Sequence, residues 1–501
     1  MEEILNSTVV VKSSRSNSLI NRRMICRILG ILLHVESLMF VVCILVSLAY
    51  GESDAMCFLW AFISTEAVAF VLQYIGRKAT NAISRRDGYC IVASTWLLFT
   101  VFGMIPPLVS GEIPTVTDAF FETMSGFTTT GATIMGHIDD LSHGMLFWRS
   151  FTQWIGGLGI VFFTLAFLPI FGLGNQVLFS AEATGVNHDK IHPKISVMAK
   201  WIWTIYIAIT AACFVLLMAG GMEFFDAVCH SFSTAATGGF STKQASVAYF
   251  NSPFIEYVIA IFMMIAGINF SLYFLCLKGR FRPLFKNEEV RIYLTTIGVI
   301  TVIIALTLYF HNGYDPELAF RKSLFQVVAI VTSSGFATDD YNGWMPFTWL
   351  LLTYLMITGG CTGSTCAGMK CMRVLIILKN VRNEFRRLIH PRAVLPVKIN
   401  GQTVSPTVIS TVSTFAMFYM FVLFAGWIVV MAMGVEFMDA FGVVTSSLCN
   451  IGPAFGHYGP DFTWETLPAA VKWLCAMYML IGRLELFAVL LMFVPSFWLR
   501  S

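Results

Sequence analysis

Four short runs of small residues end in glycine: Thr128-Thr129-Thr130-Gly131, Ala236-Thr237-Gly238-Gly239, Thr332-Ser333-Ser334-Gly335 and Cys449-Asn450-Ile451-Gly452. They hold no acid or base, so what they offer is backbone carbonyl oxygen. Rings of such carbonyls can replace the hydration shell of a dehydrated cation. Glycine suits the end of each run because successive carbonyls must face one side, often at positive φ. Small Thr, Ser and Ala side chains keep a lumen open. In the second run Gly238 and Gly239 both qualify as the terminal position, and Gly239 keeps the spacing common to all four.

That spacing is strict. Asp118-Ala119, Asp226-Ala227, Lys322-Ser323 and Asp439-Ala440 each begin thirteen residues before Gly131, Gly239, Gly335 and Gly452. Between pair and glycine lies an apolar stretch of about ten residues, roughly 15 Å as a helix and half a bilayer. Such a segment cannot cross; it must dip in and return, and irregular backbone at that depth is tolerated only where it is packed in protein or lines water. Entering from outside, each half-helix points the negative end of its dipole at the bilayer centre. The alternative is ordinary small-residue packing between helices, but packing gives no reason for four copies at one offset.

The rest of the chain supplies the spans. Of 501 residues, 57% are apolar and only 12% charged, with 45 Phe and a mean hydropathy of +0.74. A soluble domain carries about twice that charged fraction. Ten apolar segments are long enough to cross, near residues 28–50, 55–76, 89–110, 147–170, 199–220, 253–277, 292–310, 347–378, 406–433 and 468–498. Basic loops at 77–88, 278–291 and 370–398 are expected on the cytoplasmic side, and loops carrying Glu112, Asp118, Asp139, Asp140, Asp315, Glu317, Asp339, Asp340, Asp461 and Glu465 outside. A net charge of +3 without a basic patch argues against nucleic acid, and membrane lipid is the expected surrounding. Cys361, Cys366 and Cys371 recur every five residues, which is not a metal-ligand spacing. Neither HExxH, a Ser/His/Asp cluster, a Rossmann fingerprint nor a Walker loop is present, so no enzyme and no bound cofactor are expected.

The fold class expected is an all-α polytopic membrane protein: four span–half-helix–span repeats around a central pore, preceded by two extra transmembrane helices. Two further features lie within spans. Gly359-Gly360-Cys361-Thr362-Gly363-Ser364-Thr365-Cys366-Ala367-Gly368 places four glycines in the segment 347–378, and each costs about 1 kcal/mol in a helix interior. A break at mid-depth follows, the alternative being close packing of a continuous helix. Arg483 sits inside the last span, where a charge costs at least ~2.5 kcal/mol and must face the bundle interior or water; a structural ion pair with Glu485 or another acid is the bland reading. His34, Glu36 and Glu66 fall in the two leading spans and read as interhelix contacts, with a proton or lipid role left open.

On Ser125-Gly126-Phe127-Thr128-Thr129-Thr130-Gly131-Ala132-Thr133, Gly238-Gly239-Phe240-Ser241-Thr242, Ser333-Ser334-Gly335-Phe336, Asn450-Ile451-Gly452-Pro453 and Trp148-Arg149-Ser150 through Gln153-Trp154-Ile155-Gly156-Gly157, the chain resembles the membrane subunits of bacterial Trk/Ktr-type potassium uptake systems, within them the TrkH family. The likeness runs from about residue 25 to near the end. It implies K⁺ translocation across the inner membrane through one pore per subunit, a homodimer, and a cytoplasmic nucleotide-binding regulator of TrkA type. It implies that the four runs form the selectivity filter. It also implies that Gly359, Gly360, Thr362, Gly363, Ser364, Thr365 and Gly368 belong to an intramembrane gate loop, beside which Arg483 repels the cation. In plant relatives serine at the first filter position accompanies Na⁺ preference, so Gly131 favours K⁺; a Na⁺-selective or poorly selective channel is the rival. Lys322 departs from the acid of the other repeats. The expected divisions are a cytoplasmic segment 1–23, two extra helices 24–88, and repeats 89–180, 195–285, 290–390 (with a broken second span) and 404–501.

Overall fold

A computed structural model describes residues 20–79, 83–159 and 195–498. Residues 1–19 of the expected N-terminal segment, the part of the 147–170 span and of the first repeat from 160 to 180, and residues 499–501 lie outside the described residues. Two long helices come first, Arg22–Tyr50 and Ala55–Gly76, joined by a turn at Gly51 (φ 70°). They pack closely because small residues face backbone. A Cβ on Gly76 would lie 2.7 Å from the Cα of Arg27, and one on Gly30 2.9 Å from the carbonyl of Ala69.

Four units of one design follow. Each has a long helix, a short one and a second apolar helix. The long helices are Arg85–Gly103 (continued, beyond Met104, by Ile105–Ser110), Ile195–Ala219, Glu288–His311 and Pro406–Ala432. The half-helices are Val116–Phe127, Phe224–Ala236, Pro316–Val331 and Phe437–Cys449, all starting with an acid in the first turn, where the helix dipole favours it. The second helices start at His143, Pro253, Pro346 and Ala469. The chain is thus an all-α, multi-pass membrane protein of four repeats behind two leading helices.

The second helices depart from the sequence reading. The segments 253–277 and 468–498, expected as continuous spans, are bent: Pro253–Ala266 meets Phe270–Leu277 at 94°, and Ala469–Arg483 meets Phe487–Phe493 at 111°. The apolar run resumes beyond each joint, so overall length suggests a single span. At the first, Gly267 ends one helix and the Asn269 side chain caps the next by accepting from the amide of Ser271. At the second, Glu485 and Leu486 turn at positive φ. In the third repeat the second helix stops at Thr358 and a new helix starts at Cys371.

Glycine marks where second helices press on half-helix ends. A Cβ on Gly156 would sit 1.9 Å from the carbonyl of Phe127, and one on Gly482 2.1 Å from that of Leu448. Backbone cannot give way as a side chain can. Gly482→Leu is therefore expected to destabilise the protein by about 1–3 kcal/mol or more, seen as a lower thermal transition of the detergent-solubilised chain; an unchanged transition would refute the close contact.

Candidate functional site

Every half-helix ends alike. The residue two before the terminal glycine turns left-handed: Thr129 (φ 54°), Thr237 (53°), Ser333 (52°) and Asn450 (52°). The next amide then reaches back five residues, from Thr130 to the carbonyl of Ser125, Gly238 to Ser233, Ser334 to Ala329 and Ile451 to Ser446. This is a Schellman closure, which normally puts glycine at the left-handed position. Threonine there is strained, and Thr237 and Ser333 offset the strain locally by donating their hydroxyls to the preceding carbonyls, of Ala236 (2.7 Å) and Thr332 (2.6 Å).

The closures bring the four terminal glycines together. Gly131, Gly239, Gly335 and Gly452 all have φ between 75° and 101° and share one cavity lining. A Cβ on Gly131 would lie 2.2 Å from the carbonyl oxygen of Gly238, one on Gly239 1.9 Å from that of Ser334, one on Gly335 1.8 Å from that of Ile451, and one on Gly452 2.7 Å from that of Thr130. Each glycine thus abuts the carbonyl preceding the next repeat's glycine, and the fourth returns to the first. The cycle also assigns Gly239 to the common position. Thr128–Thr130, Ala236–Gly238, Thr332–Ser334 and Cys449–Ile451 are all buried behind it. Among the described residues nothing donates to the carbonyls of Thr130, Ser334 and Ile451, whereas that of Gly238 accepts from Gln153 Nε2 at 2.7 Å.

Several buttresses escape the sequence reading. Buried Glu122 accepts from Thr133 Oγ1 (3.0 Å), the amide of Ile134 (2.9 Å) and Arg149 Nε (3.1 Å), and Arg149 reaches on to the carbonyl of Ser241 (3.2 Å). A pair of opposite charges in apolar segments is the available signal. Gln153 also accepts from the amide of Phe240, and Asn450 Nδ2 donates to Thr130 Oγ1 at 2.9 Å. The position occupied by Asp118, Asp226, Lys322 and Asp439 pins each half-helix start. Asp118 holds Lys472 (2.6 Å), Asp226 accepts from Thr242 (2.6 Å), and Lys322 donates to Glu256 (3.1 Å) and the carbonyl of Thr338 (2.8 Å). Asp439 accepts from the amide (3.0 Å) and ring of His457, and this hydrogen bond, with the carboxylate's charge, raises the imidazole above its ordinary range. The lysine of the third repeat does the acids' work with the sign reversed.

Residues 359–370 pack against the ends of the second and third half-helices. Gly359, Gly363 and Gly368 turn at φ 65°, 77° and 83°, so this stretch is not helical. Ala367 donates its amide to Ser333 Oγ (2.7 Å), and Thr365 lies 3.3 Å from Thr237 Oγ1 and from the carbonyls of Ala235 and Ala266. Gly360 accepts from the amide of Cys371, the Ser364 hydroxyl returns to Cys361, and the amide of Thr362 points to Glu289. Arg483 donates to the carbonyls of Thr365 (2.8 Å), Gly156 and Gly157 (2.8 Å), binding the loop to the end of the first repeat's second helix. Glu485, the acid considered as its partner, pairs with Arg373.

Comparison with known proteins agrees with this architecture. The family of TrkH cation transport proteins matches residues 53–500. The Trk system potassium uptake protein TrkH of Escherichia coli K12 is 38% identical over 481 residues, covering 95% of this chain and 99% of the relative. TrkH of Halomonas elongata is 38% identical over 483 residues, with the same coverage. The crystal structure of the potassium transporter TrkH from Vibrio parahaemolyticus superposes with a TM-score of 0.86 at 34% identity, over 95% of this chain and 99% of that one. By sequence and by fold, the chain belongs to the TrkH family, a family of cation transport proteins rather than enzymes.

Proposed function

We propose that this chain takes up K⁺ across the bacterial inner membrane through the ring of four loops, which acts as its selectivity filter. The observation that carries the reading is the closed cycle of glycine–carbonyl contacts. It leaves carbonyl oxygens of all four repeats converging at the ends of half-helices whose dipoles also favour a cation. The relatives named as potassium uptake proteins supply the ion. Residues 359–370 and Arg483 form the gate: the loop stands in the path on the inner side, and a guanidinium next to it opposes a passing cation. Trk systems have further components, and a homodimer working with a TrkA-type nucleotide-binding subunit on the cytoplasmic side fits this chain, which carries no nucleotide loop.

Two measurements test this. A carboxylate side chain on Gly335 would collide with the Ile451 carbonyl, so Gly335→Asp is expected to lower rubidium uptake into liposomes at least about tenfold; Gly131→Ser should shift the reversal potential in mixed salts toward Na⁺. Uptake and reversal potential matching the parent chain would remove the filter assignment. Arg483→Ala is expected to raise uptake in the absence of any regulator by about fivefold or more, the range of an ordinary coupling energy, while unchanged or lower uptake in a stably folded variant would reduce Arg483 to a structural role.

A further inference from the structure

We propose that Glu289 is the positioning residue that holds the 359–370 loop in place, and that the cytoplasmic hairpin at Asn400 sets Glu289. This rests on the reading of that loop as a gate. The sequence alone counts Glu289 as one acid in a basic cytoplasmic loop; its side chain is instead buried, 2% exposed. Its Oε1 accepts from the amide of Thr362 (2.7 Å) and from that of Met372 (3.0 Å), so one oxygen ties the first half of the loop to the helix that follows it. Met372 lies in the first turn of the helix Cys371–Ile389, whose amides have no partners within the helix. The helix cannot cap itself. Lys370 stands at the capping position with φ 73° and a side chain that only donates. A carboxylate from another helix fills the role, with the helix dipole in its favour.

The neighbouring Glu288 is partly exposed, on the side that the basic loops mark as cytoplasmic. The amide of Glu288 donates to Asn400 Oδ1 at 2.8 Å, in the Asn400-Gly401 turn between the short strands Lys398–Ile399 and Gln402–Thr403. The Glu288 carboxylate pairs with Lys379, whose ammonium also donates to the carbonyl of Lys398 at 2.7 Å. Ile399 packs with Met372, Leu375, Ile376 and Val412 in a small apolar cluster of their own. Hairpin, capped helix and the start of Glu288–His311 therefore form one body. A force on the exposed hairpin reaches the loop through two consecutive residues, and that is how a cytoplasmic partner would act on it.

The test is rubidium uptake into liposomes holding the full chain without any cytoplasmic subunit. Glu289→Ala is expected to raise uptake about tenfold, and Glu289→Gln, which keeps an acceptor oxygen, to stay within about threefold of the parent. Should Glu289→Ala fail to fold, Asn400→Ala on the exposed turn carries the test, with alkylation of Cys366 from the cytoplasmic side, read by peptide mass, expected to speed up about threefold. Uptake unchanged in folded Glu289→Ala, or an unchanged Cys366 rate in Asn400→Ala, overturns the proposal. A chain lacking residues 361–366 separates the two readings. Raised uptake there with flat Glu289→Ala refutes the clamp and keeps the gate, whereas flat uptake in both refutes the gate as well.

Discussion

A glycine with no Cβ, resting against a carbonyl oxygen of the next repeat, is the contact on which the remaining structure depends, and it occurs four times in a closed cycle. Any Cβ at those distances would force a backbone carbonyl to shift, and the positive φ of all four residues favours glycine. The half-helices must therefore stop at one depth, and the Schellman closures stop them there. Behind them the second helices must come in close, which Gly156 and Gly482 permit. The polar scaffold serves that convergence, because Glu122, Arg149, Gln153 and Asn450 satisfy groups that it buries.

Much of this is legible in the sequence because the pattern is repeated. One run such as Ser333-Ser334-Gly335 means little alone, but the same offset four times between spans specifies a geometry. The glycine-rich stretch at 359–368 is legible for a different reason: so many helix breakers in an apolar segment leave few alternatives. Lys322 reads as a departure from the pattern, yet the structure gives it the same pinning role through Glu256 and Thr338. Position is preserved and polarity is not.

What stays hidden is what hydropathy and spacing do not encode. The joints at Ile268 and Glu485 lie in stretches apolar on both sides, so length suggests simple spans. Partners separated by long stretches of chain, such as Glu122 with Arg149 or Arg483 with Thr365, leave no local mark. Glu289 is easily misjudged because a carboxylate near basic residues looks like a solvated loop charge; its burial and its two amide partners exist only once the third repeat has folded.

Having all four quarters on one polypeptide frees them from identity, and Gln153 exploits this. Its amide engages the Gly238 oxygen, while the Thr130, Ser334 and Ile451 oxygens have no comparable donor among the described residues. One quarter of the ring is braced by a side chain from a neighbouring helix, and the other three lack that brace, so its fourfold pattern is one of position and not of stiffness.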